Sequence, residues 1–227
     1  MNDIAEHKSR TARTYELLRD AIVEARHAPG EKLRIDHLSR ELDVSSGAIR
    51  EALSRLTADG LVVAEPQKGF VVAPISRRDL KELTDVRIEV EGRCLAESIE
   101  TGDLDWEGRV LSIHHRLSSL GDVYKLSGTP DARRWHELHE EFHLQLTSAC
   151  QNRWWLRLRR QLYIQSERYR RLSGPVDESD RDIVAEHTLI ADAALARDTE
   201  AALRHMKDHL SRTTAILLTS RIPFTDD

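Results

Sequence analysis

The sequence contains 227 residues, with 34 Lys and Arg against 39 Asp and Glu, and its formal net charge is −5. Hydrophobic residues make up 40% of the chain, which supports a folded core and excludes a disordered protein. The two cysteines, Cys94 and Cys150, exclude a framework of disulfides, and no apolar segment is long enough to cross a membrane, so a cytoplasmic protein is expected. A negative chain also cannot bind nucleic acid through bulk positive charge alone.

The N-terminal third predicts three helices followed by a β-hairpin. Helices are indicated by apolar side chains at helical spacing, and the hairpin by two short apolar runs that flank turn residues. This order is typical of a winged helix-turn-helix domain, which is predicted over residues 1–75. The predicted elements are a helix over 11–27, an extended segment at 32–34, a short helix around 38–42, a helix from 45 to 59, and strands at 61–64 and 70–73.

The remainder of the chain, residues 76–227, shows no alternation typical of β-strands and predicts an antiparallel all-α bundle. The fold class is therefore mainly α, with a winged helix-turn-helix followed by a helical domain. Ser76 and Asp79 are expected to cap the first helix of the bundle. The predicted helices cover residues near 77–100, 104–126, 131–150, 153–172, 179–196 and 199–220.

The start of the third helix is the candidate DNA-reading element. Its small polar residues, Ser45, Ser46 and Gly47, permit close approach to phosphates and base edges, and Arg50 follows one turn later. Arg34 and Lys68, beside the second helix and at the wing, are expected to contact flanking phosphates. Up to residue 76 there are 11 Lys and Arg against 12 Asp and Glu, so the affinity for DNA must come from a few placed groups.

Four histidines in the second domain form a candidate metal site. His139 and His143 are four residues apart and share one face of a predicted helix. His187 and His209 are equidistant from the break at Arg197-Asp198, so an antiparallel helix pair would bring them side by side. Four imidazoles would bind a divalent metal ion, with Zn²⁺ as the first candidate and Ni²⁺ as the second. Taken singly, each histidine is as well explained as a surface or core residue.

The N-terminal segment resembles the GntR family of bacterial transcriptional regulators over residues 13–76. The resemblance lies in V-S-S-G-A-I-R-E-A-L-S-R-L-T-A-D-G-L-V, preceded by P-G-E-K-L-R and followed by Q-K-G-F-V-V-A-P-I-S. Many members have Arg-Thr-Pro where this chain has Ser46-Gly47-Ala48, which leaves the operator sequence open. The resemblance implies DNA contacts at Ser45, Ser46, Gly47, Ala48, Arg50 and Gly69.

The second domain, over about 77–220, resembles the FCD ligand-binding domain of the FadR-type branch of that family. H-E-E-F-H-L-Q-L-T-S-A-C-Q-N and E-H-T-L-I-A-D-A-A-L-A-R-D-T-E-A-A-L-R-H-M-K-D-H-L carry it. In metal-binding members the first ligand is usually Asp, and this chain has His139 there. His143, His187 and His209 match the other three ligands. The resemblance thus implies the same four-residue metal site.

The resemblance also implies a small carboxylate effector bound near the metal. Arg87, in D-V-R-I-E-V-E, matches an arginine position of the family and is the first candidate for binding the carboxylate. Arg168, in S-E-R-Y-R-R-L-S, is a second candidate, although a solvated basic face explains it equally well. Within the branch, the sequence looks most similar to glutarate-responsive regulators of the CsiR kind, which favours a dicarboxylate.

Two other classes of protein compete with this interpretation. A helical bundle rich in histidine also suits a metal-dependent hydrolase or oxidase fused to a winged-helix module. However, Glu140 and Glu186 adjoin candidate ligands in sequence and are therefore expected to point about 100° away around their helices. A pure interaction module would leave the histidine pattern unexplained. The sequence therefore predicts a non-enzymatic, homodimeric repressor, with paired half-sites supplying affinity for double-stranded operator DNA.

Overall fold

The computed structural model describes residues 2–121, 129–172, 181–220, 222, 224 and 225. The helix predicted over 104–126 ends at residue 118, because the chain turns at residues 119 and 120, and residues 122–126 lie outside the described residues. The predicted start of another helix at 179 also lies outside them. Where the elements are described, most begin and end within a few residues of the predicted positions. In chain order they are α1 (Asn2–Val23), β1 (Lys32–Leu33), α2 (Ile35–Glu41), α3 (Ser46–Ala58), β2 (Val62–Glu65), β3 (Gly69–Val72), α4 (Arg77–Thr101), α5 (Leu104–Ser118), α6 (Pro130–Leu146), α7 (Arg153–Leu172), α8 (Ile183–Leu195) and α9 (Thr199–Thr219).

Helices α1 to α3 enclose the core of the first unit with their apolar faces. The Ser45 side chain accepts a hydrogen bond from the Ala48 backbone N–H and caps α3, as its sequence position predicts. The chain leaves α3 through Gly60, whose φ of +74° favours glycine. The core residues of this unit are Leu18, Ile22, Leu33, Leu38, Ile49, Ala52, Leu53, Leu56, Leu61, Val62 and Val72.

The wing is a three-stranded antiparallel sheet in the order β1-β3-β2. The predicted hairpin pairs Val62 with Val72 and Glu65 with Gly69. The sequence also predicted that residues 32–34 are extended, and the structure adds that Lys32 and Leu33 pair with β3 as a third strand. This pairing ties the segment before α2 to the wing.

The second unit packs its helices around a single apolar core. Trp106, Trp135 and Phe142 are almost fully buried there, together with Ile190 and Met206. Helix α5 begins at the side-chain cap Asp103, α8 at Asp182 and α9 at Asp198. Small residues on α8 and α9, such as Ala194 and Ala202, leave room for the larger side chains.

The two units do not follow the predicted boundary between residues 75 and 76. The first unit contains 1–80, 164–172 and 222–227, and the second contains 81–163 and 173–221. Ile164 packs against the core of the first unit, and the Gln165 side chain donates a 2.6 Å hydrogen bond to the carbonyl of Asp59. The backbone N–H of Thr225 donates to the carbonyl of Ile75. A boundary read along the chain could not include these distant segments.

Arg168, on the part of α7 that belongs to the first unit, holds the end of the wing. Its Nη2 donates to the carbonyls of Ala73 and Pro74, and its side chain is almost fully buried. The effector-binding role of Arg168 stays a prediction: its Nη2 donates to these carbonyls, whereas its Nε is buried without a hydrogen-bond partner among the described residues. The dense run of arginines around it gave no sign of this contact.

Replacing Arg168 with Ala is expected to lower the free energy of unfolding by about 1–3 kcal/mol, because the buried Ala73 carbonyl loses its donor. Urea denaturation followed by circular dichroism measures the change. Arg160→Ala is the matched control, since Arg160 is an exposed arginine on the same helix. Equal stability of the two variants would contradict the assigned contact.

Candidate functional site

Four histidines of the second unit come together in its interior. His139 and His143 lie on α6, His187 on α8 and His209 on α9, and each is at most 4% exposed. One candidate ligand atom from each residue can be chosen so that all four lie within 4.8 Å of one another. Within the described part of the chain, this group contains no carboxylate. We call it the histidine cluster.

The local sequence explains how the cluster assembles. The four-residue spacing brings the rings of His139 and His143 to 4.7 Å between centroids on one helix face. The α8–α9 turn places the rings of His187 and His209 4.8 Å apart. Arg197 adopts a φ of +60° in this turn. His187 and His209 are equidistant in sequence from the turn, which is why the sequence predicted that they lie side by side.

Several nitrogens of the cluster are buried and have no hydrogen-bond partner among the residues that the structure describes. They are both ring nitrogens of His143 and Nε2 of His187. Burial lowers the pKa of His143 and His187 well below the ordinary value, and it also lowers the pKa of His209. The rings are thus neutral near pH 7. Neutral, unpartnered imidazole nitrogens that converge are the donors that a transition metal takes.

Two nitrogens of the cluster face groups outside it. The Tyr163 hydroxyl lies 3.4 Å from Nδ1 of His139, while the Trp135 ring stacks on the His139 ring at 4.7 Å. The Glu186 carboxylate lies 2.8 Å from Nδ1 of His209. Glu186 does not reach the neighbouring His187, as its angular position predicted, but it reaches across to the next helix.

Two buried arginines accompany the cluster. Arg87 on α4 and Arg159 on α7 both contact Glu91, and the Arg159 Nε–Glu91 Oε2 distance is 2.7 Å. Their guanidinium carbons lie 5.1 and 5.8 Å from the centroid of the Tyr163 ring. Nη2 of Arg159 is buried and has no hydrogen-bond partner in the described part of the chain. Positive charge from both arginines reaches His143 and further lowers its pKa beyond the effect of burial.

Arg87 is among the candidates predicted from the sequence, whereas Arg159 is not. Arg159 stands in the basic run R-L-R-R, which suggested a solvated face. A usable signal was present, because Arg159 lies four residues before Tyr163 and three after Leu156, on the side of α7 that turns inward. An arginine on an inward-facing helix stripe indicates a buried partner or a ligand.

The predicted DNA-reading residues lie mostly on the surface of the first unit. Ser45, Ser46, Gly47 and Arg50 are exposed at the start of α3. Ala48 is 5% exposed and packs inward, so the contact predicted for it cannot be made by its side chain. The remaining three candidates, Arg34, Lys68 and Gly69, are exposed beside α2 and on the wing.

The tip of the wing places a charged side chain, Lys68, next to a glycine with a positive φ, Gly69. Lys68 forms an exposed 2.8 Å ion pair with Glu65, which solvent screens and a phosphate can replace. Gly69 has a φ of +90°, and a Cβ built on it meets no atom within 4 Å. Glycine is required there for its conformation, and its surroundings leave room for another molecule to approach.

Known proteins resemble both units. Residues 10–72 match the family described as bacterial regulatory proteins, gntR family, and residues 82–212 match the FCD domain. The chain is 38% identical over 214 residues to the uncharacterized HTH-type transcriptional regulator BphR of Paraburkholderia xenovorans, covering 94% of this chain and 87% of that protein. It is 32% identical over 203 residues to the HTH-type transcriptional repressor GlaR of Escherichia coli, covering 86% and 90% respectively. The solved structure of E. coli McbR/YncC has the same fold, with a TM-score of 0.77, 20% identity and coverage of 92% and 96%.

The winged helix-turn-helix and the helical domain define a DNA-binding transcriptional regulator and not an enzyme. The chain belongs to the GntR family, in the FadR-type branch whose members carry an FCD domain. Operator DNA is the partner that this family membership assigns to the first unit. In the described part of the chain, no helix has the length and apolar character that crossing a bilayer requires.

The histidine cluster makes the stability of metal-free protein depend on pH. The unfolded chain takes up protons near pH 6.5, whereas folded His143 and His187 do so only at lower pH. Stability is therefore fully present above pH 6.5 and falls as the pH drops. Between pH 7 and 5.5 we expect a loss of about 2–3 kcal/mol from these two residues, measured by urea denaturation in EDTA. The double variant His143→Asn/His187→Asn should lose much less, and an unchanged wild-type stability over this range would contradict neutral, buried rings.

Proposed function

We propose that this regulator is a homodimeric repressor, released from its operator by a small organic acid that binds at a metal ion in the histidine cluster. The convergence of four buried imidazoles, with three unpartnered nitrogens at His143 and His187, carries this proposal. Each such nitrogen costs about 1–3 kcal/mol when it stays unpaired. A resident metal ion that takes one nitrogen from each ring removes that cost for two of the three nitrogens.

The donor set fits Zn²⁺ best and Ni²⁺ as the second candidate. Four neutral imidazoles suit borderline transition metals, while Ca²⁺ and Mg²⁺ take oxygen ligands that this group does not offer. Replacing the usual aspartate with His139 leaves the bound ion with its full charge of +2. The ion would supply positive charge and a coordination position to an incoming carboxylate oxygen.

The effector proposal rests on the charge beside the cluster. Among the residues that the structure describes, the guanidinium groups of Arg87 and Arg159 both contact the carboxylate of Glu91, so positive charge lies on this side of the site. Nη2 of Arg159, which has no hydrogen-bond partner among the described residues, is positioned to bind an anion, so Arg159 joins Arg87 as a candidate for binding the effector. Two separate cationic groups, the metal and the arginine pair, favour a dicarboxylate over a monocarboxylate.

The repressor proposal combines the DNA-reading surface with the chain connection. Among the relatives, the GlaR protein of E. coli is named a repressor. Arg87 lies on α4, the helix that follows directly on the linker after the wing. An acid that binds Arg87 would therefore shift the helix that is joined to the wing. In a dimer, this shift of α4 would change the spacing of the two α3 helices and weaken binding at paired half-sites.

A thermal-shift screen of organic acids tests the effector proposal. Zinc-loaded and EDTA-treated protein are compared with a panel of mono-, di- and tricarboxylates, with glutarate included. We expect at least one dicarboxylate to raise the Tm of the loaded protein, and a smaller effect or none after EDTA. Arg159→Gln should abolish the shift, while Arg160→Gln keeps it. If no carboxylate stabilises the loaded protein, the proposed effector class is wrong.

A further inference from the structure

The histidine cluster has a second layer of contacts on one side, centred on Glu186. The Glu186 carboxylate is 2.8 Å from Nδ1 of His209 and also accepts hydrogen bonds from Arg181 and Arg212. The Arg181 contacts are bidentate, with Nε at 2.9 Å from Oε1 and Nη2 at 2.6 Å from Oε2. Arg181 is itself buried, whereas Arg212 is 60% exposed.

The partners of Glu186 decide which nitrogen of His209 carries a proton. Arg181 and Arg212 donate to both of its oxygens, and a guanidinium group is always a donor. A carboxylate paired with two guanidinium groups is an acceptor, so Nδ1 of His209, 2.8 Å away, is the nitrogen that donates to it. Nη2 of Arg181 also lies 3.4 Å from Nδ1, but this longer contact joins two donors and does not set the tautomer.

Arg181 fixes the position of Glu186 as well as its charge. Its Nη2 donates to Thr213 Oγ1 at 3.0 Å and to the carbonyl of His209 at 3.3 Å, so it is anchored to α9 at two points. Glu186 therefore cannot rotate away without breaking the bidentate pair. The Nδ1 edge of the His209 ring is in turn held by Glu186, which leaves Nε2 as the nitrogen available to a metal ion in the cluster.

We propose that Glu186, clamped by Arg181, is a positioning residue that presents Nε2 of His209 to the metal ion. The inference rests on the proposed metal site and adds to it a residue outside the four histidines. Outer carboxylates of this kind fix the tautomer and orientation of a histidine ligand and strengthen its basicity. Glu186 does not bind the metal itself, because its oxygens are occupied by His209 and the two arginines.

The first test compares the zinc affinities of the full-length wild type and Glu186→Gln by competition with a chromophoric chelator. We expect the variant to bind Zn²⁺ about 10- to 100-fold more weakly. Glu107→Gln is the matched control, because Glu107 also pairs with an arginine, Arg197, in the same unit and takes no part in the cluster. The Tm of both variants in EDTA separates a loss of metal affinity from a general loss of stability.

A second measurement works on the wild type and does not depend on a variant that folds. Long-range ¹H–¹⁵N NMR of the zinc-loaded protein reports which nitrogen of His209 carries the proton. We expect Nδ1–H, with Nε2 on the metal. Nε2–H at His209, or a Glu186→Gln affinity within twofold of wild type, would overturn the role of Glu186 alone. A wild type that binds no zinc would overturn the proposed metal site, and the role of Glu186 with it.

Discussion

Replacing His187 with Asn is expected to weaken zinc binding by about 10²–10³-fold. The binding free energy of a four-ligand zinc site is about 10–16 kcal/mol, so the loss of one ligand removes about 3–4 kcal/mol. His187 is 2% exposed, and its unpartnered Nε2 belongs to the cluster. Chelator competition gives the affinity, and mass spectrometry of the purified protein gives the metal content.

His115→Asn is the control for this prediction. His115 lies on α5 in the same unit and is exposed, so its replacement removes a histidine without changing the cluster. We expect it to keep the metal content of the wild type. If His187→Asn retained as much zinc as His115→Asn, the four-histidine site would be wrong.

Replacing Arg50 with Ala is expected to reduce operator affinity by about 30-fold to 10⁴-fold. An arginine that contacts a base edge contributes about 1–3 kcal/mol, and a dimer presents two copies. Arg50 is exposed one turn into α3, next to the capped start of the helix. Fluorescence anisotropy with the DNA upstream of the protein's own gene measures the loss.

Arg26→Ala is the matched control for Arg50→Ala. Arg26 is an exposed arginine of the same unit that lies after α1 and pairs with Glu24. The Arg26→Ala variant should bind DNA as the wild type does. A loss of affinity no greater for Arg50→Ala than for Arg26→Ala would show that α3 does not read the operator.

The salt dependence of operator binding should be shallow. With Arg34, Arg50 and Lys68 contacting phosphates or nearby base edges in each protomer, the slope of log affinity against log salt concentration should be about −5 or shallower.

The sequence predicted those features that depend on local pattern. The Ser45 cap and the apolar stripe of α3 fixed that helix, because capping and helical periodicity are properties of neighbouring residues. The approach of His187 to His209 was predictable for a similar reason. Two helices joined by a tight turn have their register set by the distance of each residue from that turn.

Contacts between residues distant in sequence were not predictable from these patterns. Arg168 stands in a run of arginines, and nothing local shows that it donates to carbonyls about 95 positions earlier. The contact of Glu186 with His209 was not predicted, because the angle between Glu186 and His187 concerns only α8, whereas His209 lies on α9. Ala48 was assigned to DNA from a family pattern, yet it lies on the inward face of α3.

The negative net charge excludes binding through bulk charge and leaves a small set of exposed cations. The structure places Arg34, Arg50 and Lys68 on the surface of the first unit. In the second unit, by contrast, the cations Arg87 and Arg159 are buried beside the neutral histidine cluster. Surface cations suit a polyanion that approaches from outside, whereas buried ones suit a small anion that is enclosed.

The most direct test of this account is a titration of the zinc-loaded protein on its operator with the organic acid found by the thermal screen. Anisotropy should show that the acid lowers operator affinity at least tenfold in the wild type. EDTA-treated protein and His187→Asn should bind DNA but fail to respond to the acid. Release by the acid that is equally strong without the metal, or no release by any carboxylate from the loaded protein, would contradict the metal-dependent mechanism.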